Sequence, residues 1–145
     1  MKKSVFYKLL AAVLASTCAT TVLAKIPVYI SGNTPNDPVG THIVAQLQNQ
    51  IMLSPVLQLV NQPDQAVARV RIIGADPTRD GRFTALAENV DIVNVAAPQA
   101  AWLNIQQHIR ICLSESSQTC THQIYADLET VAKQYGPPLQ QKLGR

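Results

Sequence analysis

The sequence lacks an apolar run long enough to cross a membrane. Its first apolar segment, Leu9–Ala15, is far shorter than the stretch of about 20 residues that a transmembrane helix needs. Lys2 and Lys3 precede it, and Val22–Ala24 places small residues just before Lys25. A positive start, a short apolar core and a small residue at the cut are typical of a secretory signal. We therefore expect residues 1–24 to be a signal peptide cleaved after Ala24, and a periplasmic location.

Two other interpretations of this segment remain open. It could be a retained anchoring helix, which its short length disfavours. It could also be lipidated at Cys18, but Thr17 occupies the position where a lipobox has Gly or Ala, and Leu14 is one position out of register.

An excess of basic residues is also missing once the leader is removed. The whole chain has 12 Lys and Arg against 9 Asp and Glu, and Lys2, Lys3 and Lys8 belong to the leader. Removing these three leaves nine basic and nine acidic residues in segment 25–145. A segment without net positive charge has little to neutralise a phosphate backbone or to attract an anionic lipid surface. We therefore expect no nucleic-acid partner. Because nothing after the leader resembles a stop-transfer helix, we also expect no transmembrane segment in the mature chain.

Recognisable catalytic motifs are absent as well. There is no G-x-S-x-G, no glycine-rich phosphate loop and no H-E-x-x-H. His42, His108 and His122 are scattered, and no cluster of three metal ligands occurs in the sequence. Asp76 and Asp80 favour a turn over a calcium loop, because the alternating oxygen ligands are missing. We assign no catalytic residue, no metal and no cofactor.

Cysteine is scarce, and this makes the remaining pair informative. Cys112 and Cys120 follow the leader, and in an oxidising compartment a disulfide is the default expectation for two such residues. Their spacing differs from the C-x-x-C arrangement of redox-active pairs. The sequence therefore predicts a structural disulfide between them.

Hydrophobic periodicity predicts the order strand, helix, several strands, helix. Asp37 and Pro38 are a good helix start, and Ser54-Pro55 ends that helix. Apolar residues recur at helical spacing again from Ile124 to Tyr135, and Gly136-Pro137-Pro138 predicts the end of this second helix. Strands are expected at 27–32, 57–60, 68–73, 86–96 with a bulge near Ile92, and 105–113.

These elements predict an α+β fold, a two-layer sandwich with a mostly antiparallel four- to five-stranded sheet and two helices on one face. A single α/β domain is expected to span 25–138, followed by a flexible tail at 139–145. Alternation in the last strand predicts that Ile105, Ile109, Ile111 and Leu113 face the core, and Trp102 is expected to plug a core edge. The opposite sheet face is then a candidate interaction face formed by Arg69, Arg71, His108 and Arg110.

The turn and capping residues carry one resemblance to known proteins. Val28–Gly32, Asp37–Gly40, Ser54-Pro55 and Leu59-Val60 resemble a group of uncharacterised small exported proteobacterial proteins, similar in outline to the amino-terminal domain of the Tol–Pal system protein TolB. The resemblance covers about residues 27–75. It implies a small periplasmic α/β module and brings no catalytic residue with it.

Two functions follow from these observations. The first is a non-enzymatic interaction module of the cell envelope that binds an as yet unknown envelope protein or peptide by a sheet face or edge. The second is a small periplasmic enzyme or ligand-binding protein with a pocket near the loop Ser31–Asp37. Because the chain is poor in catalytic groups, we favour the interaction module.

The leader assignment predicts the first residue of the exported protein. Amino-terminal sequencing of the protein recovered from the cell envelope is expected to begin at Lys25. A sequence that began at Met1, or a product retained in the inner membrane, would contradict the assignment.

Overall fold

The computed structural model describes residues 24–96 and 102–144, which form one five-stranded sheet covered by two helices. The strands lie in the order β2-β1-β3-β4-β5. Short 3-10 turns occupy Pro63–Gln65 and Ser114–Ser116. In chain order the elements are β1 (Ile26–Asn33), α1 (Pro38–Leu53), β2 (Leu57–Leu59), β3 (Ala68–Ala75), β4 (Phe83–Val93), β5 (Trp102–Leu113) and α2 (Ser117–Leu143).

The sheet is mixed, which corrects the prediction of a mostly antiparallel sheet. β1 pairs in parallel with β2 and with β3, whereas β3–β4 and β4–β5 are antiparallel. The reason lies in the connections: α1 carries the chain back between β1 and β2, and a helical crossover of this kind joins parallel strands. The predicted α+β class, with a five-stranded sheet and two helices, is confirmed.

The first helix begins and ends where the sequence predicts. The Asp37 side chain caps it by accepting a hydrogen bond from the Gly40 N–H at 2.8 Å, and Pro38 occupies the first turn. Ser54 ends the helix, and its hydroxyl accepts hydrogen bonds from the N–H groups of Val56 and Leu57. The serine thereby leads the chain from α1 directly into β2.

Both helices pack on the same face of the sheet and share one apolar core with it. The stripe of α1 predicted from its spacing is buried there, and α2 adds a second stripe. A polar contact joins the two helices beside the core, because the Thr121 hydroxyl donates to the Gln46 side chain at 2.8 Å. The largest fully buried apolar side chains are Val28, Ile43, Leu47, Ile51, Leu57, Val67, Val70, Ile72, Leu86, Ile124 and Leu128.

The second helix is longer than predicted, since it includes residues 139–143. α2 continues through Pro137 and Pro138 to Leu143. Tertiary contacts explain why the helix continues past the two prolines, since Leu139 is buried in the core and the Gln140 side chain donates to the Lys25 carbonyl at 3.1 Å. Gly136 allows the close approach, because a Cβ there would lie 2.8 Å from Ile26 Cγ2.

The side of the last strand that faces the helices is the opposite of the predicted one. Ile109 is 81% exposed and Ile111 73% exposed, whereas Cys112 is fully buried. Trp102 begins β5 instead of lying in a linker, and the bulge expected in β4 near Ile92 is replaced by a register shift between Val90 and Asp91 at which β5 has the extra residue Ile105. The expected core positions of β5 therefore lie on the uncovered face of the sheet.

A disulfide joins the end of this strand to the second helix. Cys112 in β5 and Cys120 in α2 lie at bonding distance, with 6.1 Å between their Cα atoms, as predicted from the sequence. In the described part of the chain, neither helix combines the length and hydrophobicity that a membrane-spanning segment requires.

The disulfide generates a prediction about stability. Replacing both cysteines, Cys112→Ala with Cys120→Ala, is expected to lower the free energy of unfolding by about 2–3 kcal/mol, because closing a loop of this length constrains the unfolded chain. Urea unfolding measures the change, and non-reducing peptide mapping of the wild type is expected to recover the two cysteines linked. A reductant should weaken the wild type and leave the double variant unchanged. Equal midpoints for the two proteins would contradict the prediction.

Candidate interaction face

The sheet face opposite the helices, here called the open face, carries a continuous apolar patch. Its side chains come from β3, β4 and β5 and are neighbours in register: Ala87 lies opposite both Ile73 and Ile109, and Ala85 lies opposite Ile111. Ile73 is 51% exposed, and Ile109 and Ile111 are exposed further still. We call this set the apolar stripe; it consists of Ile73, Phe83, Ala85, Ala87, Ile109, Ile111 and Leu113.

An arginine cluster adjoins the apolar stripe on the same face. The Nε atoms of Arg69 and Arg71 both donate to Oδ2 of Asp91 at 2.8 Å, and the Asn104 side chain donates to Oδ1 at 3.0 Å. The Arg69 guanidinium lies over the Trp102 ring, 4.4 Å from its centroid, a favourable cation–π contact. These five residues form the arginine cluster.

The electrostatics of this cluster leave one positive charge unbalanced. Asp91 is buried, which by itself opposes ionisation, but the hydrogen bonds from Asn104, Arg69 and Arg71 outweigh burial and lower the pKa of its carboxyl. The ionised carboxylate neutralises only one of the two guanidinium groups. Arg71 is 41% exposed, and its terminal nitrogens make no hydrogen bond to the described residues. The cluster can therefore accept an anionic group from outside.

The other two residues of the predicted interaction face, His108 and Arg110, lie on the helix side of the sheet. Arg110 donates from Nε to Glu88 Oε2 at 2.8 Å and from its terminal nitrogens to Asp127 and Gln123 of α2. The Nε2 atom of His108 lies 3.5 Å from the Asp127 carboxylate. The structure thus places Arg69 and Arg71 together on the open face and separates them from His108 and Arg110. The prediction that all four share one face is wrong.

A buried carboxyl explains why Arg110 turns inward. Glu88 is fully buried, and burial raises the pKa of its carboxyl although the Arg110 guanidinium opposes the shift. Its Oε1 atom has no hydrogen-bond partner among the described residues. An unpaired charge at this depth would be costly, so Arg110 is needed on this side of the sheet.

The loop Ser31–Asp37, near which the alternative function places a pocket, has few side chains that could bind a ligand or act in catalysis. Beside the loop Ser31–Asp37 lies an open depression lined in part by Pro38, Thr41 and His42. The buried Asp37 carboxylate already accepts from the Gly40 N–H and from the Thr84 hydroxyl. This carboxylate is therefore committed to capping α1, and the described residues give the depression no other acidic side chain.

The remaining acidic candidates have structural roles. The Asp76 side chain accepts hydrogen bonds from the N–H groups of Gly81, Arg79 and Thr78, and these bonds build a tight turn. The same hydrogen bonds, above all the one from Gly81, outweigh desolvation and lower the pKa of the Asp76 carboxyl. Within residues 24–96 and 102–144, no group of three His, Cys, Asp or Glu side chains is placed to hold a metal ion.

Sequence reasoning missed the apolar stripe, although its signal is present. The alternation of β5 correctly separates the isoleucines from the polar residues, but it does not say which side faces the helices. The small residues Ala85 and Ala87 of β4 were a further signal, because they alternate with the buried Leu86.

Fold and site together define a small α+β domain with one helix-covered and one open sheet face. No family model matches the sequence, and no curated protein is similar to it. Among the solved structures that are similar to this chain, three have identities of 10–14% and TM-scores below 0.5. A hypothetical protein, CT253 from Chlamydia trachomatis, is 10% identical over 79% of this chain and 99% of its own, with a TM-score of 0.45.

The other two structures are similar at the same low level of identity. A PelC dodecamer from Paraburkholderia phytofirmans is 14% identical over 72% of this chain and 84% of its own, with a TM-score of 0.43. The rare lipoprotein B from Shewanella oneidensis is 13% identical over 80% of this chain and 93% of its own, with a TM-score of 0.24. None of the three bears on the resemblance to TolB, which stays a prediction.

The buried pair on the helix side predicts a pH-dependent loss of stability. Arg110→Met is expected to lower the free energy of unfolding at neutral pH by about 3–5 kcal/mol, because it leaves Glu88 buried without its partner. The folded-state pKa of Glu88 is raised, so the variant recovers stability as the pH falls from neutral towards the ordinary glutamate value of about 4.3 and the carboxyl binds a proton.

Urea unfolding at neutral and mildly acidic pH measures this effect. Lys133→Met is the matched control, because Lys133 makes an exposed pair with Glu129 whose loss is expected to cost less than about 1 kcal/mol. Equal losses for the two variants, or a loss for Arg110→Met that grows on acidification, would contradict the assignment.

Proposed function

We propose that this chain is a non-enzymatic interaction module of the cell envelope whose open sheet face binds another protein. The apolar stripe is the observation that carries the proposal. Its large side chains are exposed next to one another, whereas on most protein surfaces exposed apolar side chains are scattered singly. A contiguous apolar patch bordered by polar residues is typical of a surface that a partner covers.

The arginine cluster indicates the chemistry of that partner. Arg71 and Ile73 lie on the same face of β3, two residues or about 7 Å apart, so the unbalanced charge adjoins the apolar stripe. A partner that fits both features presents apolar side chains with a carboxylate beside them. The carboxylate would pair with the terminal nitrogens of Arg71, a charge-assisted contact that planar guanidinium groups favour.

Trp102 and Asp91 pre-organise this surface for binding. Asp91 holds two arginine side chains in fixed positions, and the Trp102 ring supports one of them from below. Side chains that are ordered before binding lose less conformational entropy when a partner arrives. The expected secretory leader supports an envelope partner, since it would deliver the domain to that compartment.

The test compares two substitutions of the same chemistry at different exposed sites. Ile73→Asp places a charge in the apolar stripe at its β3 margin, and Leu53→Asp places one at the end of α1, where Leu53 is 86% exposed and far from the open face. Crosslinking in the native envelope, followed by recovery of the protein, measures partner binding. We expect Ile73→Asp to reduce recovery of a stoichiometric partner by at least about tenfold, the size of effect that loss of an interface hot spot has, and Leu53→Asp to leave it unchanged.

A third variant tests the charge of the partner. Arg71→Gln keeps a polar side chain but removes the unbalanced cation, and we expect weaker recovery whose difference from wild type shrinks in high salt. If all three variants recovered as much partner as the wild type, the proposal would be contradicted. So would a purified protein that recovers no partner and turns over members of a small-molecule panel.

A further inference from the structure

The outer edge of β5 is a long strand edge without a partner in the described part of the chain. β5 ends the strand order of the sheet and is twelve residues long, whereas the strand at the opposite edge, β2, has three. A short edge strand offers few backbone groups to another chain, but a long one presents a row of unpaired N–H and C=O groups.

The pairing of β5 with β4 shows which backbone groups point outward. The Ser114 N–H donates to the Arg82 carbonyl at 2.8 Å, so these opposed residues form a hydrogen-bonded pair. In an antiparallel ladder such pairs alternate with pairs whose N–H and C=O groups point away from each other. Counting back in register, the backbone groups directed to the free edge belong to Gln107, Ile109, Ile111 and Leu113.

From Gln107 to Leu113 this edge has only one of the features that protect edge strands from pairing, an inward-pointing charge. Proteins protect exposed edges with lysine, proline, inward-pointing charges or bulges. From Gln107 to Leu113 β5 has no proline and no lysine, and its register with β4 is regular. Its one charged residue, Arg110, points inward, but Glu88 and Asp127 neutralise it.

We propose that the occupant of this edge is a second copy of the same chain, joined by antiparallel pairing of the two β5 strands about a two-fold axis. The inference goes beyond the proposed function, because the partner of the open face is not required for it. The two sheets would become one sheet of about ten strands, and the two apolar stripes would meet at the joint to form one platform.

Symmetry and charge select the register of the pair. A two-fold axis at Ile109 places Ile109 opposite its own copy and Gln107 opposite Ile111, which gives about six backbone hydrogen bonds from three hydrogen-bonded pairs. An axis at Arg110 would instead set two guanidinium groups directly opposite each other, an unfavourable cross-strand pair. We therefore place the axis at Ile109 and not at Arg110.

Complementarity favours a copy of this chain over a charged peptide. The edge offers no free charge to recognise an acidic or a basic strand, and β5 is itself an uncharged strand over its outward positions. Segment 25–145 carries equal numbers of acidic and basic residues. Two copies therefore approach without net electrostatic repulsion.

The first experiment removes one outward N–H group. Ile111→Pro deletes a donor at the free edge but leaves the hydrogen bonds to β4 intact, and Ile111→Ala is the matched control, because it shortens the side chain and keeps the N–H. By sedimentation equilibrium we expect the wild type and Ile111→Ala at twice the monomer mass and Ile111→Pro at the monomer mass. A wild type that stays monomeric at high concentration would overturn the proposal, as would a dimer that Ile111→Pro leaves intact.

The second experiment keeps the proposal testable if the proline variant fails to fold. Ile109→Cys sets two thiols opposite each other across the axis, where a Cα separation of about 5.5 Å suits a disulfide. Mild oxidation is expected to give a crosslinked dimer in high yield. Ile73→Cys is the control, since it is exposed on the same face but lies two strands, or about 10 Å, inside the edge. Preferential crosslinking through Ile73→Cys would indicate face-to-face association and overturn the edge pairing.

The two proposals fail in different ways. A monomeric wild type whose envelope partner is still lost with Ile73→Asp would refute the second copy and leave the proposed function intact. A dimeric wild type for which no partner of the open face is recovered would refute the proposed function and leave the second copy intact. If the envelope partner itself is released by Ile111→Pro from a monomeric protein, the partner occupies the edge and the second copy does not.

Discussion

The orientation of β5 depends on the ion pair between Glu88 and Arg110. Glu88 lies fully buried between the sheet and α2, where an unpaired carboxylate would be costly, and Arg110 compensates its charge while also contacting Asp127. Because side chains alternate along a strand, an inward Arg110 requires outward Ile109 and Ile111. The disulfide from Cys112 imposes the same orientation, since Cys112 and Arg110 share a face.

That orientation gives the two sheet faces different tasks. The helix side holds a polar network inside an apolar core, which fixes how α2 lies on the sheet. The open face presents the apolar stripe beside the arginine cluster. Here Asp91 has the opposite role to Glu88: its pKa is lowered by three hydrogen bonds, so it stays ionised and holds two arginines on the surface. Two buried carboxylates on one strand thus organise two different surfaces.

Face and edge together suggest how such a small domain could work in an assembly. A single copy offers a limited apolar area, and a stable protein interface usually buries about 1,200–2,000 Å². Edge pairing would extend the area by joining two stripes, without using any side chain of the arginine cluster. The isoleucines of β5 would then serve twice, with their backbone groups at the joint between copies and their side chains on the platform that faces the partner.

Local sequence patterns determined much of this protein. The cap at Asp37, the helix end at Ser54, the pairing of Cys112 with Cys120 and the α+β class were all predictable, because they depend on residues that are close together in the chain or on simple periodicity. The mixed sheet, the inward turn of Arg110 and the extension of α2 past Pro137 were not. Each depends on a contact between distant segments: the return of the chain to β1, the charge of Glu88 and the packing of Gly136 against Ile26. Alternation divides a strand into two sets of side chains, but only the neighbours brought by the tertiary fold decide which set is buried.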